Sequence, residues 1–297
     1  MKIFKIIESP PKVFKLGRAI LKKFGIGIDN LSKSAHPQED FLSVSKKYPI
    51  FAVADGVTLE LDKHGNYPQK SGAGEVARIF CREVVKIAEK SYDDFMDSDI
   101  KKIFARANSV VDRYNRSRGR FKACLNYWDI DLFAAAAAFA VVKNGLVYWA
   151  SICDASVVHF KKDGQLSFRS PDCWAITRGE KSKNWLAMSE EDRKKTGRCV
   201  YRNGIGRDGS LVGYGVVTGE KSAERYLSTG KFSVNEGDVV MLMSDGFENY
   251  LKVKEFVRLF MTWPKGIRSR LKQITRSKSI DNPSDFGRER TLIAIKF

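Results

Sequence analysis

The sequence is poor in the residues from which disulfide frameworks, zinc sites and membrane-spanning helices are built. Its 297 residues include five cysteines and three histidines. The cysteines are widely spaced and form no C-x-x-C pair, which argues against a disulfide framework or a structural zinc site and indicates reduced thiols. The longest apolar run, Leu132–Val142, is too short to cross a bilayer. The first residues lack the apolar stretch of a signal peptide, so we expect a soluble, cytoplasmic protein.

Acidic residues are also scarce relative to basic ones. The chain has 52 lysines and arginines against 35 aspartates and glutamates, a formal net charge of +17. A field of this sign attracts nucleic acid, anionic lipid headgroups or phosphorylated molecules. The basic residues concentrate near the N-terminus, between residues 181 and 202 and between residues 265 and 278. A docking patch and a merely solvated basic surface are both consistent with this distribution.

The order of the predicted elements favours an α+β domain. Residues 1–35 are predicted to form a basic N-terminal extension whose amphipathic part, residues 13–24, could lie on a membrane, on an anionic partner or on its own domain. Residues 36–297 form the domain proper, with residues 170–231 as a flap or insertion. Helical spacing predicts helices over 74–88, 99–116, 253–260 and 267–275. Strands are predicted over 132–142, 146–152, 156–160, 238–244 and 291–297, so antiparallel sheets covered by helices are expected.

Two short apolar strands, far apart in the sequence, each lead into an Asp-Gly pair. The first ends at Asp55-Gly56 and the second at Asp245-Gly246. A carboxylate at the end of a buried strand is held rigidly, and glycine allows a sharp turn and close approach of the backbone to a ligand. An isolated Asp-Gly pair is more often a turn than a ligand. Together with the other acids at element ends, Glu39, Asp40, Asp154 and Glu289, the two pairs suggest a split carboxylate site for a hard cation.

Five segments, taken in chain order, resemble the motifs of the metal-dependent type-2C serine/threonine protein phosphatases. The resemblance covers about residue 36 to the C-terminus, and the strand-Asp-Gly motifs and the final strand are its more specific parts. The segments are Gln38–Phe41, Phe51–Val57, Ala150–Ala155, Leu242–Phe247 and Arg290–Ile295.

The resemblance implies an αββα sandwich of four layers, with two mostly antiparallel sheets and two Mn²⁺ or Mg²⁺ ions between them. It implies that Asp55 bridges both ions, that the Gly56 carbonyl helps to ligate one of them and that Asp245 holds the other. Asp40, with Glu39, would bind directly or through water, and Asp154 would support a further, weaker ion. Carboxylates, carbonyls and waters suit such ions, which would activate a water for attack on a phosphoserine or phosphothreonine of a protein substrate.

Four positions depart from the family pattern. Arg288 stands where the family usually has an aspartate, and the neighbouring Glu289 is predicted to substitute for it; Asp281 or Asp285 could also do so. The usual phosphate-binding arginine before Glu39 is missing, so Lys33 or His36 could serve instead. Val57 replaces a histidine common in eukaryotic members. Cys153-Asp154-Ala155 replaces Gly-Asp-Ser. Separately, Asp129 and Asp131, at the start of a predicted strand, either approach the site or serve as turn residues.

Three functions therefore stay open at this stage. The first is a metal-dependent phosphoprotein phosphatase, which we expect to be a monomer. The second is a type-2C-like pseudophosphatase that binds a phosphorylated partner without hydrolysing it, as the cation at Arg288 would repel a metal ion. The third is a basic nucleic-acid-binding protein, although the chain shows no recognisable motif for nucleic-acid binding and we do not expect a nucleic-acid partner.

Overall fold

Twelve strands and five α-helices make up the part of the chain that the structure describes. The computed structural model describes residues 1–9, 37–57, 70–127, 130–172, 188–189, 192 and 195–297. The strands are β1 (Lys2–Glu8), β2 (Phe41–Val44), β3 (Ile50–Val57), β4 (Ala134–Lys143), β5 (Leu146–Ile152), β6 (Ser156–Phe160), β7 (Leu166–Arg169), β8 (Gly204–Ile205), β9 (Leu211–Val212), β10 (Ser228–Ser233), β11 (Val239–Met243) and β12 (Arg290–Lys296). The helices are α1 (Gly72–Lys90), α2 (Asp99–Ser117), α3 (Lys254–Thr262), α4 (Ile267–Asp281) and α5 (Pro283–Phe286).

The strands form two antiparallel sheets of five strands each and one small pair. Sheet A has the order β1-β12-β11-β6-β7, and sheet B has the order β10-β5-β4-β3-β2. Strands β8 and β9 pair with each other. The chain crosses from sheet B to sheet A between β5 and β6, at Cys153–Ala155, where Cys153 has a left-handed φ of 68°. This crossing places Asp154 between the two sheets' strand ends.

Side-chain alternation along β3 divides its residues between two layers of the core. Ile50, Ala52 and Ala54 pack in the cluster that joins sheet B to helices α1 and α2. Phe51 and Val53 pack in the cluster between the two sheets. Since successive strand residues point to opposite faces, Asp55 continues the second series and faces the space between the sheets.

The same alternation operates in sheet A. In β11, Met241 and Met243 pack against α3 and α4, whereas Val240 and Leu242 face sheet B. Helix side chains that cover the outer face of the sheet include Phe256, Phe260 and Leu271. Helices therefore lie outside both sheets, and the αββα sandwich expected from the sequence is confirmed.

The beginning of the chain differs from the sequence-based expectation of a separate extension. Lys2–Glu8 is the edge strand of sheet A and pairs along its full length with β12, from Lys2 with Lys296 to Glu8 with Arg290. Phe4 and Ile6 are buried in the core beneath α3 and α4. The predicted amphipathic segment, residues 13–24, lies outside the described residues.

The expected flap over residues 170–231 also differs in part. Strand β10 begins at Ser228 and pairs with β5, so the end of that range belongs to sheet B. Before it, a buried ion pair joins Arg202 to Asp131, with Glu220 beside Arg202 at 3.5 Å. These contacts fix the described part of residues 195–227 to the start of β4.

The other predicted elements are confirmed, with boundaries shifted by a few residues. Helix α2 begins at Asp99 as expected, but the side chain of Ser98 makes no capping hydrogen bond. In the described part of the chain, no helix combines the length and the hydropathy that crossing a membrane requires.

Candidate metal centre

The acidic residues singled out in the sequence lie at the ends of strands in both sheets. Glu39 and Asp40 directly precede β2, and Asp55 lies near the end of β3. Asp245 begins the 3₁₀ turn Asp245–Lys252 that follows β11, and Glu289 directly precedes β12. These ends meet at one edge of the sandwich, so residues separated by up to 250 positions become neighbours.

Three of these carboxylates form a cluster that could hold a metal ion. Asp40, Asp55 and Glu289 each place one oxygen within 4.8 Å of the others. Asp40 is only 4% exposed. Its Oδ1 is buried and accepts no hydrogen bond from any described residue. A buried carboxylate with an unsatisfied oxygen and two further carboxylates beside it is the environment of a cation ligand.

Glu39 links the cluster to the first turn of α1. Its backbone N–H donates to Glu289 Oε2 at 3.0 Å, which fixes the Glu289 carboxylate. Its own carboxylate accepts from the Ser71 hydroxyl, and Ser71 Oγ caps α1 by accepting from the Gly74 N–H at 3.1 Å. Glu39 therefore has a structural task at the helix N-terminus, where negative charge is favoured.

Ser244 was not predicted from the sequence as a site residue. Its hydroxyl donates to Asp40 Oδ2 at 2.7 Å and accepts from the Thr291 N–H at 2.9 Å, and the side chain is fully buried. Ser244 thereby holds the second oxygen of Asp40 and ties β11 to β12. The signal available in the sequence was its position directly before Asp245-Gly246.

The glycine of each Asp-Gly pair is required by close packing. A Cβ on Gly56 would lie 2.7 Å from the Ala73 carbonyl carbon in α1. A Cβ on Gly246 would lie 1.9 Å from the Glu289 carbonyl oxygen. Both distances are shorter than any real Cβ contact, so only glycine lets α1 and β12 approach the two strand ends. Ligation by the Gly56 carbonyl stays a prediction.

Burial and mutual repulsion make the carboxylates of the cluster hard to ionise without a cation. Desolvation, with repulsion from Asp245 and opposed by the hydrogen bond from Ser244, raises the pKa of Asp40 to about 6. Desolvation, followed by the charges of Asp40 and Glu39, raises the pKa of Glu289 to about 8. The pKa of Asp55 is raised well above its usual value, first by burial and then by its acidic neighbours.

Asp154 and Asp245 lie next to this cluster rather than within it. Desolvation, followed by the charge of Asp245, raises the pKa of Asp154 to about 6. The charges of Asp154 and Asp245 also raise the pKa of Asp55. The Asp245 carboxylate forms an ion pair with the guanidinium of Arg288. The structure thus brings the predicted acids together and places a cation on one of them.

The donor set fits a hard divalent cation. It consists of carboxylate oxygens, of which the buried Asp40 Oδ1 has no other partner among the described residues. Burial disfavours the ionised form of these carboxylates, and a bound divalent cation would stabilise that form. Asp131 does not join the centre, because it pairs with Arg202. Asp281 accepts from Ser277, and Asp285 accepts from Asn282. Lys33, His36 and Asp129 lie outside the described residues.

Solved structures with the same fold include serine/threonine phosphatases. PstP/Ppp of Mycobacterium tuberculosis is 12% identical, with a TM-score of 0.56 over 100% of this chain and 98% of that chain. Stp1 from Staphylococcus aureus is 13% identical, with a TM-score of 0.55 over 100% and 95% of the two chains. The catalytic domain of PstP, solved with two manganese ions, is 12% identical, with a TM-score of 0.55 over 99% and 96%.

A family model extends the comparison from fold to sequence. None of the curated proteins matches this chain. The model of the protein phosphatase 2C family matches residues 26–273, which is most of the chain. The matched range contains four of the motifs that carried the resemblance, and acids from two of them, Asp40 and Asp55, cluster with Glu289. The chain therefore belongs to the protein phosphatase 2C family.

Proposed function

We propose that this protein is a metal-dependent phosphoprotein phosphatase that hydrolyses phosphoserine or phosphothreonine in protein substrates. The observation that carries the proposal is the cluster of Asp40, Asp55 and Glu289, whose ligand oxygens lie within 4.8 Å of one another between the two sheets. Membership of the protein phosphatase 2C family supports the reaction class. The manganese-containing PstP structure supports Mn²⁺ or Mg²⁺ as the metal.

Some residues of the centre would bind the ions, and others keep those ligands in position. Asp40, Asp55 and Glu289 would hold the first ion, and Asp55 with Asp245 would hold the second, with Asp154 as a further ligand. When bound, the ions supply an activated water and neutralise charge on the phosphoryl oxygens. Ser244 keeps Asp40 in place through its hydroxyl, and the Glu39 N–H keeps Glu289 in place. No side-chain nucleophile is required.

The test is hydrolysis of a phosphothreonine peptide with and without Mn²⁺. The purified chain should release phosphate only with the metal, and Asp55→Asn should lower kcat/KM by at least about a hundredfold, since one ligand and its charge are lost. Asp163→Asn is the matched control, because Asp163 lies exposed in the β6–β7 hairpin and its Oδ1 accepts from the Gln165 N–H. Hydrolysis that survives Asp55→Asn or excess EDTA would refute the proposal.

A second candidate, a pseudophosphatase, is favoured by the ion pair between Arg288 and Asp245. A cation on a predicted ligand weakens metal binding, and a protein without a loaded centre could still bind a phosphorylated partner. The two candidates separate in calorimetry and turnover measured on one preparation. The phosphatase binds Mn²⁺ and releases phosphate, whereas the pseudophosphatase binds the phosphopeptide and leaves it intact.

A further inference from the structure

Arg288 and Glu289 are consecutive residues that serve two different carboxylate groups. Glu289 joins Asp40 and Asp55, and its Oε2 accepts from the Glu39 N–H. The Arg288 guanidinium instead donates a hydrogen bond from Nη1 to Asp245 Oδ2. The two residues that directly precede β12 therefore provide a carboxylate for one candidate ion position and a cation at the other.

Arg288 is also a cation that the structure pairs with this acidic centre. Among the ion pairs between described residues, the pair with Asp245 is the one that involves Asp40, Asp55, Asp154, Asp245 or Glu289. The guanidinium carries a permanent positive charge and donates several N–H groups in a plane. It thereby uses a carboxylate oxygen that a second metal ion would need, and it repels that ion at short range.

The exposure of the two partners shows how the pair could open. The Arg288 side chain is 62% exposed, whereas that of Asp245 is 16% exposed. Asp245 is fixed at the start of its 3₁₀ turn, while the long Arg288 side chain can leave it without unpacking the core. The Arg288 side chain can therefore bind to and leave the Asp245 carboxylate, while Asp245 keeps its position.

We propose that Arg288 competes with the second divalent ion for Asp245, so that this centre binds its two ions with unequal affinity. The first ion binds at Asp40, Asp55 and Glu289. The second binds at Asp245 only when the guanidinium is displaced. This inference rests on the proposed function and deepens it, because it assigns the occupancy of the second position to one residue of this chain.

The experiment is a titration of the full chain with Mn²⁺, in which binding is measured by calorimetry and by electron paramagnetic resonance. The wild-type protein should bind one Mn²⁺ tightly and show the six-line spectrum of an isolated ion at one equivalent. Arg288→Gln should bind the second ion about tenfold or more tightly than wild type, since a charge in direct contact with Asp245 is removed. Its spectrum at two equivalents should be broadened by coupling between neighbouring ions. Arg288→Lys, which keeps the charge but loses the planar fork, should lie closer to wild type.

Arg113→Gln is the matched control, because Arg113 lies exposed on α2 and its loss changes the net charge equally. Its titration should superimpose on that of wild type, and thermal unfolding should verify that each variant is folded. If wild type binds two ions with the affinities found for Arg288→Gln and hydrolyses phosphopeptide, this inference fails and the proposed function stands. If neither protein binds Mn²⁺, both fail.

Discussion

At the scale of single residues, Ser244 links two parts of the fold at the acidic cluster. Its hydroxyl connects the Asp40 carboxylate to the backbone of the last strand, through Asp40 Oδ2 and the Thr291 N–H. A buried hydroxyl that both donates and accepts cannot be removed without leaving two polar groups unsatisfied. The orientation of Asp40 therefore depends on Ser244, for which we propose no ligand or catalytic role.

Ser244→Ala should lower the free energy of unfolding by about 1–2 kcal/mol and weaken Mn²⁺ binding several-fold. The reason is that Asp40 loses its fixed partner and the Thr291 N–H stays buried without one. Urea unfolding and calorimetry measure the two effects. Ser233→Ala, at an exposed position of β10, should change neither. Equal effects of the two substitutions would show that the hydrogen bonds of Ser244 to Asp40 and Thr291 contribute neither to stability nor to Mn²⁺ binding.

The raised pKa values of Asp40 and Glu289 make the metal-free protein less stable in alkali than in mild acid. Both groups bind protons more tightly in the folded state than in the unfolded chain, with pKa values of about 6 and about 8. Their contribution to stability is complete below the unfolded pKa values, near 4, and is lost as pH rises through 6 and 8.

In EDTA, the free energy of unfolding should fall by on the order of 4 kcal/mol between pH 5.5 and pH 8.5. Glu289→Gln should reduce this fall, because the group with the higher pKa no longer titrates. Mn²⁺ should restore stability most at the alkaline end, where the carboxylates are ionised. Urea unfolding at each pH provides the measurement. An unchanged slope in Glu289→Gln would contradict the assignment.

At the scale of elements, some strands could be predicted from the sequence and the first strand could not. Strands β3 and β11 were predicted because uninterrupted apolar runs ended at Asp-Gly pairs. The structure adds that alternation along β3 directs Asp55 into the space between the sheets. Strand β1 was not predicted, because its seven residues include charged side chains at Lys2, Lys5 and Glu8. Its partner, β12, lies at the far end of the chain, and pairing over that separation leaves no local pattern.

Phe4→Ala should lower the free energy of unfolding by about 3 kcal/mol. Phe4 is 6% exposed, packs edge-to-face on Phe260 and lies beneath the guanidinium of Arg268. Ile3→Ala, next to it but 44% exposed, should cost well under about 1 kcal/mol. Urea unfolding of both variants distinguishes an integral strand from a dispensable extension, for which both substitutions would be nearly neutral.

The candidate site was also predictable only in part at this scale. Asp55 and Asp245 were found because each precedes a glycine at the end of an apolar run, and the other acids were found from their place at element ends and from the family resemblance. The pair between Arg288 and Asp245 was not predicted, since nothing in the sequence shows that the two consecutive residues before β12 reach different carboxylates. Contacts made across two sheets require the topology.

At the scale of the whole molecule, a chain with a net charge of +17 contains an acidic cluster. Part of it lies along one side of α4, where Arg268, Lys272 and Arg276 recur every fourth residue and are exposed. Arg268 donates to the Lys5 carbonyl at 2.9 Å, so this row runs beside the edge strand β1. A long-range positive field of this kind favours acidic phosphorylated substrates.

KM for a phosphopeptide flanked by acidic residues should therefore rise several-fold between about 0.05 and 0.3 M salt, because screening shortens the range of the field. A phosphopeptide of equal length with basic flanks should show a smaller rise or a fall. Initial rates at fixed Mn²⁺ measure both. Identical salt dependence of the two peptides would show that the field does not select substrates.

The place of Glu289 in the chain has a consequence for biosynthesis. Asp40 and Asp55 are synthesised well before Glu289, which lies just ahead of β12. A nascent chain that still lacks β12 also leaves β1 without its partner and Ser244 without the Thr291 N–H. A product truncated before Glu289 should therefore carry Asp40 and Asp55 without the third carboxylate of the cluster and without the strand that pairs with β1.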